Sequence, residues 1–154
     1  MTECMPISTP PIRSYDLDPS GTSGIAVGPR ICIVTDDLDS AIESGTDLSV
    51  LKPGQVGNIL VKGSPCFSGY EYPKEKEDEN LMSLNDTSFF VVDNEPGWFS
   101  TGDCGYLNNE GYLFITGRSK EIINRGGETI SPYEIEEALI QHPQVDSVAS
   151  SCII

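Results

Sequence analysis

Short apolar runs alternate with turn-forming residues through the first two-thirds of the chain, the spacing expected of strands rather than helices. Residues 30–34 (RICIV), 58–63 (NILVKG) and 89–93 (FFVVD) each read as a strand. Residues 105–117 (GYLNNEGYLFITG) read as a β-hairpin. Two apolar-aromatic runs there flank Asn108, Asn109, Glu110 and Gly111, and Gly111 can take the positive φ that such a turn needs. Two polar stretches, 35–52 and 72–88, interrupt the pattern. The second contains KEKEDEN and reads as a solvated surface loop, the alternative being a functional acidic patch.

The period changes near residue 130. Ser131 is placed to be a helix N-cap, Pro132 the first helical residue and Glu134 the reciprocal partner in a capping box. Ile130 and Ile135 occupy the two positions of a hydrophobic staple. Ile135, Ala138 and Leu139 mark one apolar face at helical spacing, and His142-Pro143 ends the helix. A last β-like run, VDSVASSCII, reaches residue 154 and reads as a strand paired in a sheet or as an interrupted chain.

Composition narrows the possibilities. The 154 residues suffice for one ordinary core, and hydrophobic residues make up 38% beside 15 glycines, as in a folded domain with generous loops. A formal charge of −15, from nine basic and twenty-four acidic residues, excludes general affinity for nucleic acid or an anionic membrane. Five scattered cysteines with no CxxC pair indicate neither a zinc site nor a disulfide framework, and a reducing compartment fits them best. No apolar run is long enough to span a membrane, the N-terminus is unlike a secretory signal, and the C-terminus is not the peroxisomal tripeptide. A soluble, cytoplasmic protein is expected.

Against that charge, Arg118, Lys120 and Arg125 cluster beside Gly126 and Gly127. A chain this acidic can hold an anion only where cations are concentrated, and the glycines permit close approach of backbone to a ligand. Taken alone, the segment reads rather as a solvated basic hairpin; the chain's net charge is what raises the anion-binding reading. Asp103, in GWFSTGD, can accept two hydrogen bonds from a cis-diol, or can satisfy backbone donors in its own turn. Thr2 and Glu3, in MTE, could contact a phosphate and a hard cation, or belong to a frayed terminus. His142 has no Ser, Cys or acid at a recognisable spacing. No nucleophile–base arrangement and no Walker or GxGxxG loop occurs.

In order along the chain, MTE, then GQVGNILVKG…GY (54–70), then GWFSTGDCGYLNNEGYLFITGRSKEIINRGGETISPYEIEEALIQHPQV (97–145) resemble the adenylate-forming superfamily. That superfamily comprises AMP-forming acyl-CoA synthetases, peptide-synthetase adenylation domains and firefly-type luciferases. The resemblance implies a strand-rich α+β fold. Residues 1–118 would be the end of a large AMP-binding domain, with its β-barrel-like subdomain, and residues 119–154 the start of a small C-terminal lid. Thr2 would sit at the adenylate phosphate and Glu3 at Mg²⁺. Asp103 would hold the ribose hydroxyls with Arg118 beside the ribose and phosphate. Lys120 would lie at the interdomain hinge, and Gly126-Gly127 in the lid hairpin. The implied chemistry is ATP-dependent adenylation of a carboxylic acid, then transfer of the acyl group to a thiol, usually that of coenzyme A.

Three departures qualify the resemblance. The superfamily's phosphate loop and acid pocket lie upstream of MTE, and its late catalytic lysine lies beyond residue 154. Asn58 stands where a glutamate is usual, and Asn124 where lysine is common. The chain is therefore expected to be a fragment of an AMP-forming ligase, not competent by itself. The alternatives are a non-catalytic remnant or interaction fragment, and a piece of a peptide-synthetase adenylation domain working with a carrier protein. The polar stretches 35–52 and 72–88 are expected to be insertions or variable loops.

Overall fold

The computed structural model describes residues 1–10, 21–35, 37–71, 79–119, 121, 123–125 and 128–150. Among the described residues, nine strands and three helices follow in chain order: β1 (Ser8–Thr9), β2 (Gly24–Ala26), β3 (Arg30–Val34), α1 (Leu38–Ser44), β4 (Gly57–Lys62), α2 (Glu79–Ser88), β5 (Phe89–Val92), β6 (Glu95–Leu107), β7 (Tyr112–Arg118), β8 (Ile123–Arg125), β9 (Glu128–Ile130) and α3 (Pro132–Ile140). Seven of the strands form one curled antiparallel sheet in the order β1-β2-β7-β6-β4-β3, with β5 also pairing β6. Strands β8 and β9 form a separate two-stranded sheet. The strand-rich α+β expectation holds.

Strand β4 sits between β3 and β6 and is buried on both faces, as its unbroken run of Ile59, Leu60 and Val61 requires. On one face Leu60, Cys32 and Val34 meet Phe90, Val92 and Trp98. On the other, Val61 and Phe99 pack with Cys4 beneath the rings of Phe67, Tyr70 and Phe89, while Ile33 and Ile59 meet Leu113. Glu95, at the start of β6, is bonded by Arg30 at 2.5 Å and Lys62 at 2.9 Å. These bonds hold its carboxyl down at about 2. The exposed guanidinium also lies 5.0 Å from the Trp98 ring centroid.

Contrary to the expectation from its polarity, the stretch 35–52 is not all loop: residues 38–44 form α1. It supplies Leu38, Ala41, Ile42 and Leu48, which cover the first core face. Leu38, Ala41 and Ile42 share one side of α1 by the i, i+3, i+4 rule, so few apolar residues suffice to make a buried stripe. Asp37 caps the helix by accepting from the Ser40 N–H at 3.1 Å, and Gly45 closes it with φ 62°. Similarly, residues 79–88 of the second polar stretch form α2, whereas 72–78, which carry most of KEKEDEN, lie outside the described residues.

Helix α3 begins at Pro132 as expected, but the capping box does not form. The Ser131 hydroxyl donates to the Thr116 carbonyl of β7, a stronger claim on it than its own helix makes. Glu134 is held by its backbone N–H to the Ser131 carbonyl instead. The helix ends at Ile140, two residues before His142. The expected terminal strand is absent over 145–150. Ser150 there folds back, its N–H on Glu136 at 2.7 Å and its hydroxyl on the Pro132 carbonyl at 2.9 Å. Residues 151–154 lie outside the described set.

The β6–β7 hairpin matches the sequence closely. Gly111 takes φ 84°, and the Asn108 side chain accepts from the backbone N–H groups of Glu110 and Tyr112. From the turn inwards the register runs Leu107 with Leu113, Tyr106 with Phe114 and Gly105 with Ile115, then slips to Cys104 with Gly117 and Asp103 with Arg118. Thr116 is the extra residue, a β-bulge. The slip depends on close approach at Gly105, where a Cβ would lie 2.1 Å from the Phe114 carbonyl oxygen. Gly105→Ala is therefore expected to destabilise the fold by about 1–3 kcal/mol, as overpacking against backbone does. Urea unfolding followed by Trp98 fluorescence measures this, and an unchanged midpoint would contradict the tight approach.

Candidate functional site

Asp103 owes its position to two irregularities in β6. Against β4 the register slips between Asn58 and Leu60, so the Thr101-Gly102-Asp103 segment arches away from the ladder. The Thr101 hydroxyl fills the gap, donating to the Ile59 carbonyl at 3.0 Å and accepting from the Asp103 N–H at 3.1 Å. Gly102 adopts φ 76°. Thr101 thus satisfies the turn's backbone donor that Asp103 might have taken. Among the described residues, the Asp103 carboxylate has one polar side-chain contact, Arg118 Nε at 3.5 Å.

That contact does little for stability. The Arg118 side chain is 66% exposed and the Asp103 side chain 30%, and solvent-exposed pairs contribute about 0.2–1 kcal/mol. Partial burial pushes the Asp103 carboxyl above its usual range, against the downward pull of Arg118. Folding therefore places this carboxylate where its charge is disfavoured, and leaves acceptor capacity unspent.

A cavity of about 560 Å³ opens beside the pair. Arg118, Ser119, Ser100, Thr101 and Gly102 form one side of it, and Glu3 and Tyr70 another. Asp103 stands next to this rim without lining it. Leu38 and Ile42 of α1, the exposed Leu84 of α2, and Phe90 and Phe99 supply the cavity's apolar lining, beside the polar Asp39, Thr87 and Ser88. Asn58 reaches it from β4, fully buried, its amide donating to the Thr35 carbonyl at 2.9 Å. A glutamate there would need a partner for a buried charge; the amide needs only the carbonyl.

Glu3 lies at the same cavity's edge, with Thr2 beside it, rather than on a frayed terminus. The Glu3 carbonyl accepts the Phe67 N–H at 2.8 Å, and its carboxylate meets the Thr2 hydroxyl at 3.2 Å and the Tyr70 hydroxyl at 3.3 Å. Hydrogen bonds from its own backbone N–H, Thr2 and Tyr70 hold the Glu3 carboxyl below its usual value. Burial and the Glu3 charge raise the Tyr70 phenol. Thr2 is exposed and does not line the cavity.

Tyr70 and Asn58 are site residues that sequence reasoning left without a role. Tyr70 is fixed by Asn85 of α2, whose side-chain amide accepts the Tyr70 N–H at 2.8 Å and donates to the Tyr70 carbonyl at 3.0 Å. No local pattern announces a clamp between residues fifteen apart. Lys120, Gly126 and Gly127 lie outside the described residues, and Arg125 is described by its backbone position in β8. His142 is exposed at the end of α3, its ring nitrogen accepting the Gln144 N–H. No cluster of three or more His, Cys, Asp or Glu side chains able to hold a metal occurs among the described residues, and no described helix is long and apolar enough to cross a membrane.

No family model matches the chain. It is nevertheless 35% identical over 130 residues to the oxalate–CoA ligase of Saccharomyces cerevisiae, an alignment covering 84% of this chain and 20% of that protein. It is 32% identical over 153 residues to the 2-succinylbenzoate–CoA ligase of Bacillus subtilis, covering 94% of this chain and 28% of the relative. The o-succinylbenzoate coenzyme A synthetase of Bacillus subtilis, solved with AMP, superposes with a TM-score of 0.65 at 32% identity, over 87% of this chain and 23% of that one. The same enzyme has been solved with ATP and magnesium and with an acyl-adenylate. The chain spans between a fifth and three-tenths of the length of the curated relatives it matches. Its strands, its MTE and GWFSTGD segments and these likenesses converge: the chain belongs to the adenylate-forming CoA ligase superfamily, and corresponds to one segment of those larger enzymes.

Proposed function

We propose that this chain supplies the ribose and phosphate side of an adenylate site in a carboxylate–CoA ligase. The observation that supports it most is the pairing of Asp103 with Arg118 beside a cavity that Glu3 also lines. In this reading Asp103 accepts the two ribose hydroxyls, using the acceptor capacity that Arg118, its one polar side-chain contact among the described residues, leaves over. Arg118 sets its guanidinium beside the ribose and α-phosphate, a local positive charge in a chain of net −15. Thr2 donates to a phosphate oxygen. Lys120, at the hinge, and Gly126-Gly127, in the lid hairpin, belong to the boundary between a large domain ending near residue 118 and a lid beginning at 119.

The residues present fit Mg²⁺. The ion commonly takes one or two protein carboxylates and completes its shell with substrate phosphates and water, so Glu3 alone, ionised and at the rim, is a sufficient protein ligand. Bound there, the ion would neutralise phosphate charge. The chain's own contribution is positioning: Asp103 and Arg118 fix the sugar, and Tyr70 and Thr2 hold the Glu3 carboxylate in one orientation. The relatives' names favour a carboxylic acid and coenzyme A as the other reactants, over a carrier-borne thiol.

Two measurements test this reading. Titration calorimetry with AMP is expected to show binding by the 154-residue chain, weakened at least tenfold in Asp103→Ala; absence of binding in the unmutated, folded chain would overturn the reading. The same polypeptide is expected to give no ATP–pyrophosphate exchange with mixed carboxylic acids, because Glu3, Asp103 and Arg118 constitute one side of a reaction centre only.

A third measurement concerns stability. A carboxyl whose folded pKa is raised binds its proton more tightly when folded, so its contribution favours folding below the ordinary carboxylate value and turns against it as pH rises through the raised one. Asp103→Asn should therefore leave the urea midpoint at pH 7 unchanged or higher. Its advantage over the unmutated chain should vanish near pH 3, where both side chains are neutral. A clear loss of stability at pH 7 would mean that Asp103 is held for structural reasons.

A further inference from the structure

Behind the rim, in the core beneath Phe67, the Cys4 and Cys66 sulfurs lie 2.7 Å apart, with the Cys66 thiol donating to Cys4. Both backbones are already fixed. The Phe67 N–H bonds the Glu3 carbonyl at 2.8 Å, joining the neighbours of the two cysteines, and the Cys66 N–H bonds the Gly63 carbonyl at 2.7 Å, fixing the turn that carries Cys66. A disulfide is about 2.0 Å long, so bond formation asks for a shift of about 0.7 Å. Cys4 is 1% exposed, whereas Cys66 is partly open to solvent. The other described cysteines lie elsewhere: Cys32 in the opposite core face, and Cys104 facing Asn58.

We propose that Cys4 and Cys66 are a reversible dithiol–disulfide site, closed by a hydroperoxide, which latches the segment carrying Glu3 to the segment carrying Tyr70. The exposures set the order of events. The Cys66 thiolate attacks the peroxide oxygen, forming a sulfenic acid and releasing hydroxide. The Cys4 sulfur then attacks the sulfenic sulfur and displaces water. Two thiols and one hydrogen peroxide give one disulfide and two waters, the two electrons passing from sulfur to peroxide. Burial, then the hydrogen bond with Cys4, pushes the Cys66 thiol up to about 12, and Glu3 and Tyr70 nearby add no positive charge. Few thiolates exist at neutral pH, so closure is slow and responds to sustained oxidant. In the reduced state the Glu3 segment is held to residues 64–70 by hydrogen bonds and packing; in the oxidised state it is held by a covalent link as well. The inference concerns the two thiols, and stands whether or not the cavity takes a nucleotide.

Each of the five cysteines falls on a different tryptic peptide, with Cys4 on residues 1–13 and Cys66 on residues 63–74. The folded chain would be incubated with hydrogen peroxide for hours at pH 7.5, alkylated, digested and mapped by mass spectrometry. The expected product is the linked pair 1–13 with 63–74, at least tenfold above any other pairing and lost on treatment with dithiothreitol. In urea that preference should disappear. Separate alkylation or overoxidation of Cys4 and Cys66 in the folded chain would overturn the proposal, as would a preference that persists in urea. Cys66→Ser should abolish the linked pair without creating another; a new Cys4 partner appearing instead would equally count against it.

Discussion

One inserted residue, Thr116, governs where the chemistry-bearing side chains of this protein meet. Were the β6–β7 register continuous from the turn, Asp103 would face Gly117, and Arg118 would lie opposite Gly102. The bulge shifts the pairing by one and sets Asp103 against Arg118. The same insertion presents the Thr116 carbonyl to the Ser131 hydroxyl, and so ties the start of α3 to the sheet. Beyond Arg118, the Ser119 N–H and hydroxyl both reach the Gly102 carbonyl, extending the contact past the end of the ladder. The rim of the cavity and the base of the last helix thus share one backbone irregularity.

Energetics separate the parts of the protein that hold it together from those that do not. Burial of Leu60, Val34 and Val61 on the two faces of the central strands contributes on the order of 1.5–3 kcal/mol per side chain. The Asp103–Arg118 pair, half in solvent, lies well below that, and desolvation of Asp103 opposes it. Thr101 does the local hydrogen bonding of this turn, and the Asp103 carboxylate contributes little to holding it together.

Much of this was legible in the sequence, and the exceptions have physical causes. The strands at 30–34, 57–62 and 89–92 and the hairpin turn at Gly111 follow from short apolar runs and turn chemistry, which are local. Asp103 and Arg118 could be nominated from their motifs. Helix α1 was hidden because the acidic neighbours of its three apolar side chains lower the mean hydropathy of 35–52 without weakening the stripe that Leu38, Ala41 and Ile42 form. The capping box at Ser131 failed for the opposite reason: a correct local signal was overridden by a tertiary acceptor, the Thr116 carbonyl. The Tyr70–Asn85 clamp and the Cys4–Cys66 contact join residues fifteen and sixty-two apart, and nothing short-range encodes either.

The cavity therefore has walls of two origins. Its polar rim comes from the segments that carry the superfamily resemblance: Glu3 from MTE, Ser100 to Gly102 from GWFSTGD, and Arg118 from GRSK. Its apolar lining draws on Phe99 from GWFSTGD, but also on Leu38 and Ile42 in the stretch 35–52 and on Leu84 in 72–88, which lie outside those segments. A rim fixed by backbone register, with bulges and a threonine bridge behind it, tolerates little change without losing the Asp103–Arg118 pairing. A wall made of single side chains from two short helices can change volume residue by residue while the strands beneath stay put. The polar rim and these helix side chains thus rest on different parts of the backbone, and a change in the second need not disturb the first.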